Sequence, residues 1–295
     1  SVQDSKGHFI GLSNYALYLK EPALFQSFFN SLFIAIVSTI FVVVFAFLFA
    51  YAITRTCMPF KGFFRLIALI PLLSPSILAA IALVYWFGNK GILKALLFGH
   101  SIYGPIGIIL ASIYWTFPHA LMILSTSLSL SDSRLYEAAE VLKTSKLRAF
   151  LTITIPGARY GIISTTFVVF TQVFTDFGVP KVIGGNYNVL ATDIYKEVVG
   201  MQNFQMGAVI SLVLLIPAMV AFFIDQYSRK NQISLLTSRS VVFNPKKSWG
   251  VDMLMFGYCS IIAIIILLMI GMAQFGALVK FCLLYTSPSP RDGIG

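Results

Sequence analysis

The chain has 295 residues, of which 58% are apolar and only 11% are charged, and its mean hydropathy is +0.85. Soluble domains carry about 25% charged residues, so a soluble enzyme, a nucleic-acid-binding protein and a disordered chain are excluded as primary interpretations. The net charge of +10 does not indicate nucleic acid, because the basic residues are scattered between apolar runs. The cysteines are too far apart for a disulfide framework or a zinc site; they are Cys57, Cys259 and Cys282.

Six apolar runs are long enough to cross a membrane, which takes about 20 mainly apolar residues as a helix. The runs lack the alternation of a transmembrane β-barrel. Helices are therefore the predicted spanning form, and the chain is predicted to be an all-α polytopic membrane protein. The predicted spans are 31–53, 66–87, 106–124, 161–178, 206–223 and 253–272.

The charges in the loops predict the orientation. The loops at 54–65, 125–160 and 226–252 hold 13 Lys and Arg residues, against 7 in the other connections. The positive-inside rule places these three loops in the cytoplasm, so residues 1–30 form an extracytoplasmic lead-in to a core at 31–225. A chain that starts outside without a signal peptide predicts an earlier span, and we therefore expect the natural N-terminus to lie upstream.

The C-terminal part divides into three pieces. Residues 226–252 are polar and basic and predict a cytoplasmic linker. Residues 253–281 hold a lone sixth span, which is either a terminal helix or the first helix of a second half that this chain lacks. Residues 282–295 begin CLLYTSPSPRD, which resembles one reading frame of a sequencing adaptor. We interpret them as an artefact rather than a disordered tail and exclude them.

The middle cytoplasmic loop contains a short amphipathic helix. Its apolar residues follow the spacing i, i+3, i+4, i+7 and form one stripe; they are Leu135, Ala138, Ala139 and Leu142. The two alanines leave room for a close approach to the backbone. Such a helix suits docking into a groove of another protein. The alternative is an interfacial helix that lies on the lipid headgroups.

This loop resembles the EAA loop of bacterial ABC importer permeases. Glu137-Ala138-Ala139 is followed by Ile-x-Ile-Pro, which ends at Pro156. The resemblance implies a MetI-like bundle of about six transmembrane helices, whose coupling helix sits in a cleft of a cytoplasmic ATPase. Glu137 to Leu142 would transmit motion. Lys143 stands where the family has a glycine, at a turn that would need a positive φ or a close contact.

Shorter stretches resemble the permeases for iron(III), polyamines, thiamine, sulfate or 2-aminoethylphosphonate. They are FGNKG at 87–91 and DFGVP at 176–180. Within this group, residues 175–200 are most similar to the 2-aminoethylphosphonate permeases, which are often two fused halves. The predicted substrate is therefore 2-aminoethylphosphonate, with iron(III) or a polyamine as the alternative. An ion-driven secondary transporter is the alternative class, although we find no convincing internal repeat of the kind that it needs.

Polar residues inside the spans are candidates for the translocation path. Gln172 and Asp176 share a face of the fourth span, where Asp176 either lines a path or caps a helix end. His119 follows Pro118 in the third span, where a structural role is the alternative. Ser74 and Ser76 accompany prolines that break the second span, and a broken helix is tolerated only against protein or a watery cavity.

No phosphate-binding motif G-x-x-x-x-G-K-[ST] occurs in the sequence, so the chain itself is not predicted to bind ATP. No HExxH motif and no metal-ligand spacing occurs either, so no metal or other cofactor is predicted. The resemblance implies a transport subunit, not an enzyme, in the bacterial inner membrane. ATP and Mg would be bound by a cytoplasmic ABC ATPase dimer. The other implied partners are an extracytoplasmic solute-binding protein, a second permease half and the lipid bilayer, and nucleic acid is not expected.

Overall fold

Long apolar runs become long helices in the computed structural model, which describes residues 13–130, 133–234, 245 and 247–278. Within these ranges the regular structure is helical throughout, which confirms the predicted all-α class. The helices are α1 Ser13–Lys20, α2 Pro22–Arg55, α3 Lys61–Leu69, α4 Ser76–Phe87, α5 Pro105–Ser129, α6 Arg134–Val141, α7 Lys146–Ala149, α8 Ile155–Gly157, α9 Arg159–Thr175, α10 Gly178–Ile183, α11 Leu190–Tyr195, α12 Phe204–Ser234 and α13 Trp249–Leu278. Short 3₁₀ or π turns occupy Ile70–Leu73, Lys94–Leu97, Phe150–Thr154 and Lys196–Gly200.

Four helices are long and apolar enough to cross a membrane, and two bent pairs bring the number of candidate spans to as many as six. The unbroken ones are α2, α5, α12 and α13, which contain four of the six predicted spans. The second predicted span bends by 102° between Lys61–Leu73 and Ser76–Phe87. A bend of 63° separates Leu147–Gly157 from α9. The fourth span does not run unbroken to residue 178, because α9 ends at Thr175 and α10 begins at Gly178.

Proline determines the break in the second span. Pro75 disfavours a helical conformation in the residue before it, and Ser74 is accordingly extended, with φ −108° and ψ 142°. The Ser74 hydroxyl donates to the carbonyl oxygen of Pro71 at 2.9 Å and so satisfies one group of the interrupted helix. By contrast, Pro118 and Pro217 lie inside the continuous helices α5 and α12.

The core forms where α2, α5, α9 and α12 pack together. Small residues allow these helices to approach closely, as is usual in membranes. Ala46 and Ala50 of α2 and Ala111 of α5 are completely buried. A Cβ atom on Gly161 of α9 would lie 2.3 Å from Ser127 of α5, so only glycine fits at that crossing.

The sixth predicted span, α13, packs against α2, α3 and α4. The Tyr258 hydroxyl donates to the carbonyl oxygen of Phe45 at 2.9 Å, and the rings of Phe256 and Phe64 meet edge to face at 5.5 Å. The predicted linker at 226–252 begins inside a helix, because α12 continues to Ser234. Residues 235–244 and 246 of the linker lie outside the described ranges. Residues 1–12 and the suspected adaptor segment at 282–295 also lie outside them.

Asp252 fixes the start of α13. Its carboxylate accepts the backbone N–H of Ser248 at 3.0 Å and that of Cys57, just after α2, at 2.8 Å. Only 7% of Asp252 is exposed. One carboxylate therefore both satisfies the helix start and joins α13 to the rest of the bundle.

We expect Asp252→Ala to destabilise the attachment of α13, because two backbone donors lose their acceptor at about 1–3 kcal/mol each when buried. Thermal unfolding of the protein in detergent measures the loss. Asp252→Asn is the matched control, because it keeps one acceptor oxygen and should lose less. Equal melting temperatures for the alanine variant and the unsubstituted chain would contradict this role.

Candidate coupling surface and helix breaks

The predicted amphipathic helix exists as α6, and its apolar stripe lies open. Leu135 is 55% exposed and Leu142 is 77% exposed, whereas Ala139 is only 8% exposed. Together with Ala138 these residues line a groove of about 480 Å³. The groove is completed by Thr144, Arg148, Thr152 and Ile153. The stripe is thus available to another surface.

Lys143 ends α6 in the left-handed conformation, with φ +52°. Its N–H donates to the carbonyl oxygen of Glu140 at 2.9 Å, and the N–H of Thr144 donates to that of Ala139 at 2.9 Å. These two bonds define a Schellman C-cap, whose left-handed position glycine occupies at least cost. The turn that the sequence predicted for this position therefore forms with a lysine in it.

Tyr136 attaches α6 to the membrane helices. Its hydroxyl lies 2.9 Å from the Thr154 hydroxyl, and the guanidinium of Arg55 lies 4.9 Å from the centre of its ring. Arg55 is the last residue of α2, is only 7% exposed and also donates to the carbonyl oxygen of Leu128 on α5. A single cation therefore connects α6 with the ends of α2 and α5.

A second attachment lies further along the same loop. The ring of Phe150 meets Tyr51 edge to face at 5.4 Å and Phe47 at 6.0 Å, and both of these residues belong to α2. Pro156 follows one turn later, as the second residue of the short helix α8. Two aromatic anchors, Tyr136 and Phe150, thus hold both sides of the groove to α2.

Among the candidate path residues, the structure brings Ser76 and Asp176 together. The Ser76 hydroxyl donates to one carboxylate oxygen of Asp176 at 2.7 Å, and the N–H of Val179 donates to the other at 2.9 Å. A Cβ atom on Gly178 would lie 2.7 Å from the Ser76 oxygen, so glycine permits this approach. The breaks in the second and fourth spans therefore meet at one carboxylate.

The length of α4 indicates the depth of this junction. Its 12 residues extend about 18 Å from Ser76 to the outer end at Phe87. The hydrocarbon core of a bilayer is about 30 Å thick. If α4 ends near the outer interface, Ser76 and Asp176 lie within the hydrocarbon, where polar groups need partners from the protein itself.

The other candidate path residues do not join this junction. Ser74 bonds locally within its own 3₁₀ turn. Gln172 lies on α9 one turn before Asp176, and its buried side-chain oxygen has no hydrogen-bond partner within the described ranges. His119 packs edge to face against Trp115, with ring centres 6.0 Å apart. A path through these residues stays a prediction.

Sequence reasoning missed the buried carboxylate of Asp225 on α12. It accepts a hydrogen bond from the Ser164 hydroxyl of α9, and both side chains are buried. Asp225 follows the predicted end of the fifth span by two residues, and the helix continues past it. An acidic residue directly after a basic-flanked apolar run was the available sign.

A polar cluster attaches the predicted extracytoplasmic segment to the third turn of α2. The Ser31 hydroxyl accepts the N–H of Leu190 at 2.9 Å, and the Asn30 amide donates to the carbonyl oxygen of Asn188 at 2.9 Å. Nearby, burial raises the pKa of Asp193, while a hydrogen bond from Ser27 and the charge of Lys196 act in the opposite direction. Asn30 and Ser31 therefore attach the outer segment at 188–190 to α2.

The sequence profile of one family, described as "Binding-protein-dependent transport system inner membrane component", matches residues 43–233. This match covers well over half of the chain. The chain belongs to this permease family. Its members are multi-pass proteins of the bacterial inner membrane and are transport components without catalytic activity of their own. The family match therefore favours the permease interpretation over an ion-driven secondary transporter.

Individual relatives are ferric and polyamine permeases. The putative ferric transport system permease protein FbpB 1 of Haemophilus influenzae is 31% identical over 206 residues, which cover 67% of this chain and 32% of that protein. The spermidine/putrescine transport system permease protein PotB of Escherichia coli is 26% identical over 214 residues, or 70% of this chain and 78% of that protein. The chain thus spans about a third of the length of its ferric relative.

A solved structure shows the same fold. In the crystal structure of a bacterial ABC transporter that imports the polysaccharide alginate, one chain matches 79% of this chain and 86% of its own length, with a TM-score of 0.58 and 16% identity. This likeness supports the MetI-like permease fold and, at that identity, the fold alone.

We expect Lys143→Gly to stabilise the end of α6 by about 1 kcal/mol, because glycine adopts a positive φ without the steric cost of a Cβ atom. Slower hydrogen–deuterium exchange of the α6 amides in the variant would measure this gain. Lys143→Ala is the control, because it removes the same side chain and keeps the strained Cβ atom. A gain of equal size in the alanine variant would show that the lysine side chain, not the backbone angle, is responsible.

We expect Asp176→Ala to lower the melting temperature of the permease, because Ser76 and the N–H of Val179 lose a buried acceptor. Asp176→Asn keeps an acceptor oxygen and should lower it less. Thermal unfolding in nanodiscs, measured together with solute uptake, separates the two predicted roles of Asp176. Loss of uptake at an unchanged melting temperature would contradict the structural role and favour the path.

Proposed function

We propose that this permease is driven by a separate cytoplasmic ATPase that binds the groove along α6. The observation that carries the proposal is the exposure of Leu135, Ala138 and Leu142 along that groove. Covering exposed apolar side chains is favourable, and an amphipathic helix in a groove is a common mode of recognition.

The composition of α6 argues against the alternative of a helix lying on lipid headgroups. Its eight residues include two acids, Glu137 and Glu140, and one cation, Arg134. Interfacial helices on anionic membranes are instead rich in Lys and Arg on their polar face. The acidic flank favours a protein partner.

The attachments of α6 suggest how movement reaches the membrane. A displacement of α6 acts on Arg55 through Tyr136, and Arg55 lies between the ends of α2 and α5. Phe150 acts on α2 through a second contact. Closure of the ATPases on ATP would then shift the bundle between two states of the solute path, as a change in populations.

The remaining partners complete this proposal. ATP and Mg would be held by the ATPase dimer, and a second permease half, fused or separate, would complete the path. An extracytoplasmic solute-binding protein would deliver the solute. In support, the alginate transporter has been solved in complex with an alginate pentasaccharide-bound periplasmic protein. This chain matches only 32% of the length of its ferric relative, and α13 follows the predicted linker. Both observations favour a fused second half.

For the substrate, we propose iron(III) first and a polyamine second. The ferric permeases reach 31% identity and the polyamine permeases 26%. The resemblance of residues 175–200 to 2-aminoethylphosphonate permeases has no support from these relatives. Uptake of radiolabelled iron(III), spermidine and 2-aminoethylphosphonate by cells that carry the complete transporter would decide between the three. Uptake of 2-aminoethylphosphonate alone would overturn this order.

We expect Ala138→Trp to abolish solute-stimulated ATPase activity and uptake, while the permease still inserts into the membrane, because the indole fills the groove that the ATPase would occupy. Reconstituted transporter in proteoliposomes provides the measurement. Val141→Trp is the matched control: Val141 is 83% exposed on the same helix but does not line the groove. Normal ATPase stimulation in Ala138→Trp would refute docking at this groove.

A further inference from the structure

A second open cavity lies where the ends of α2 and α5 meet the start of α3. It has a volume of about 430 Å³. Three of its lining residues are cations, Arg55, Lys61 and Arg65, and of the described residues that line it none is acidic. The other lining residues are Ile53, Thr54, Gly62, Ser125, Thr126, Ser129 and Leu130. A concave site with three cations and no acid attracts an anion.

Arg55 gives this cavity a fixed charge. The residue is only 7% exposed, and its guanidinium is positioned by the carbonyl oxygen of Leu128 and by the ring of Tyr136. Lys61 is half-buried and Arg65 is exposed, so these two side chains can close over a bound group. Lys61 and Arg65 are four residues apart and share one side of α3.

The start of α3 adds to the attraction. The helix has nine residues, and its N-cap residue, Phe60, makes no side-chain capping bond. Gly62, in the first turn, lines the cavity, and no atom lies within 4 Å of the place where its Cβ would be. An anion can therefore approach the backbone N–H groups of the first turn, which have no acceptor within the helix.

We propose that this cavity binds the phosphate group of an anionic phospholipid from the cytoplasmic leaflet. The exposed apolar residues of the same helix favour a lipid as the source of the phosphate. Leu66 is 67% exposed and lies one turn after Gly62 on the same side of α3, and Phe63, one turn before Leu66, is 58% exposed. Phe64 and Ile67 of the same helix are buried in the bundle. A lipid whose headgroup occupies the cavity would place its acyl chains along Phe63 and Leu66. A free phosphate would make no contact with these apolar side chains.

The variant Lys61→Gln/Arg65→Gln tests the cavity. Native mass spectrometry of the detergent-purified transporter, titrated with phosphatidylglycerol, measures affinity for the lipid. Each basic residue near the membrane surface contributes roughly fivefold, so we expect about a 25-fold loss. Lys230→Gln/Lys247→Gln is the matched control, because it removes the same charge from the same side of the membrane; its binding should stay unchanged. Equal binding by both variants would overturn the proposal.

Two further arms separate the lipid from a free anion. Phe63→Ser/Leu66→Ser keeps every charge and should still weaken phosphatidylglycerol binding severalfold, while a large excess of inorganic phosphate should not displace the lipid. Displacement by phosphate, together with normal lipid binding by the serine variant, would overturn the assignment to a lipid. None of these measurements uses transport, so their outcome is independent of the proposed coupling function.

Discussion

The hydrogen bond from Ser76 to Asp176 joins two helix breaks that the apolar interior of a membrane would otherwise not tolerate. Each break leaves backbone groups without helical partners, and no water is available in hydrocarbon to replace them. One carboxylate oxygen of Asp176 accepts a hydrogen bond from Ser76 in the second span, and the other accepts the N–H of Val179 in the first turn of α10. Gly178 makes the approach possible, and Ser74 closes its own turn locally. The two breaks therefore share one carboxylate.

Arg55 has a comparable role where α2 and α5 end. The ends of α2 and α5 and the helix α6 all meet at its guanidinium, which is buried and therefore costly to leave without partners. The same side chain borders the cavity to which we assign a lipid phosphate. A change in the lipid headgroup and a movement of α6 would thus act on one cation, which links the composition of the membrane to the coupling surface.

Features that depend on local sequence were predictable. The six apolar runs and the open stripe on α6 follow from composition and spacing, and the positive φ at Lys143 was implied by the resemblance, because the family has a glycine there. Contacts between distant segments were not, because nothing in the sequence near Ser76 indicates Asp176. Asp225 was missed for the related reason that its partner, Ser164, lies on another helix. The substrate stays a prediction, because the resemblance of residues 175–200 and the similarity of the chain as a whole to ferric and polyamine permeases indicate different solutes.

The separation of the two broken spans along the chain has a consequence for biosynthesis. Ser76 precedes Asp176 by 100 residues. At synthesis rates of about 5–20 residues per second, Asp176 is added to the chain roughly 5–20 s after Ser76. During that interval the Ser76 hydroxyl lacks the carboxylate acceptor that the finished bundle provides. The contact between the two breaks can therefore form only after the fourth span has been made.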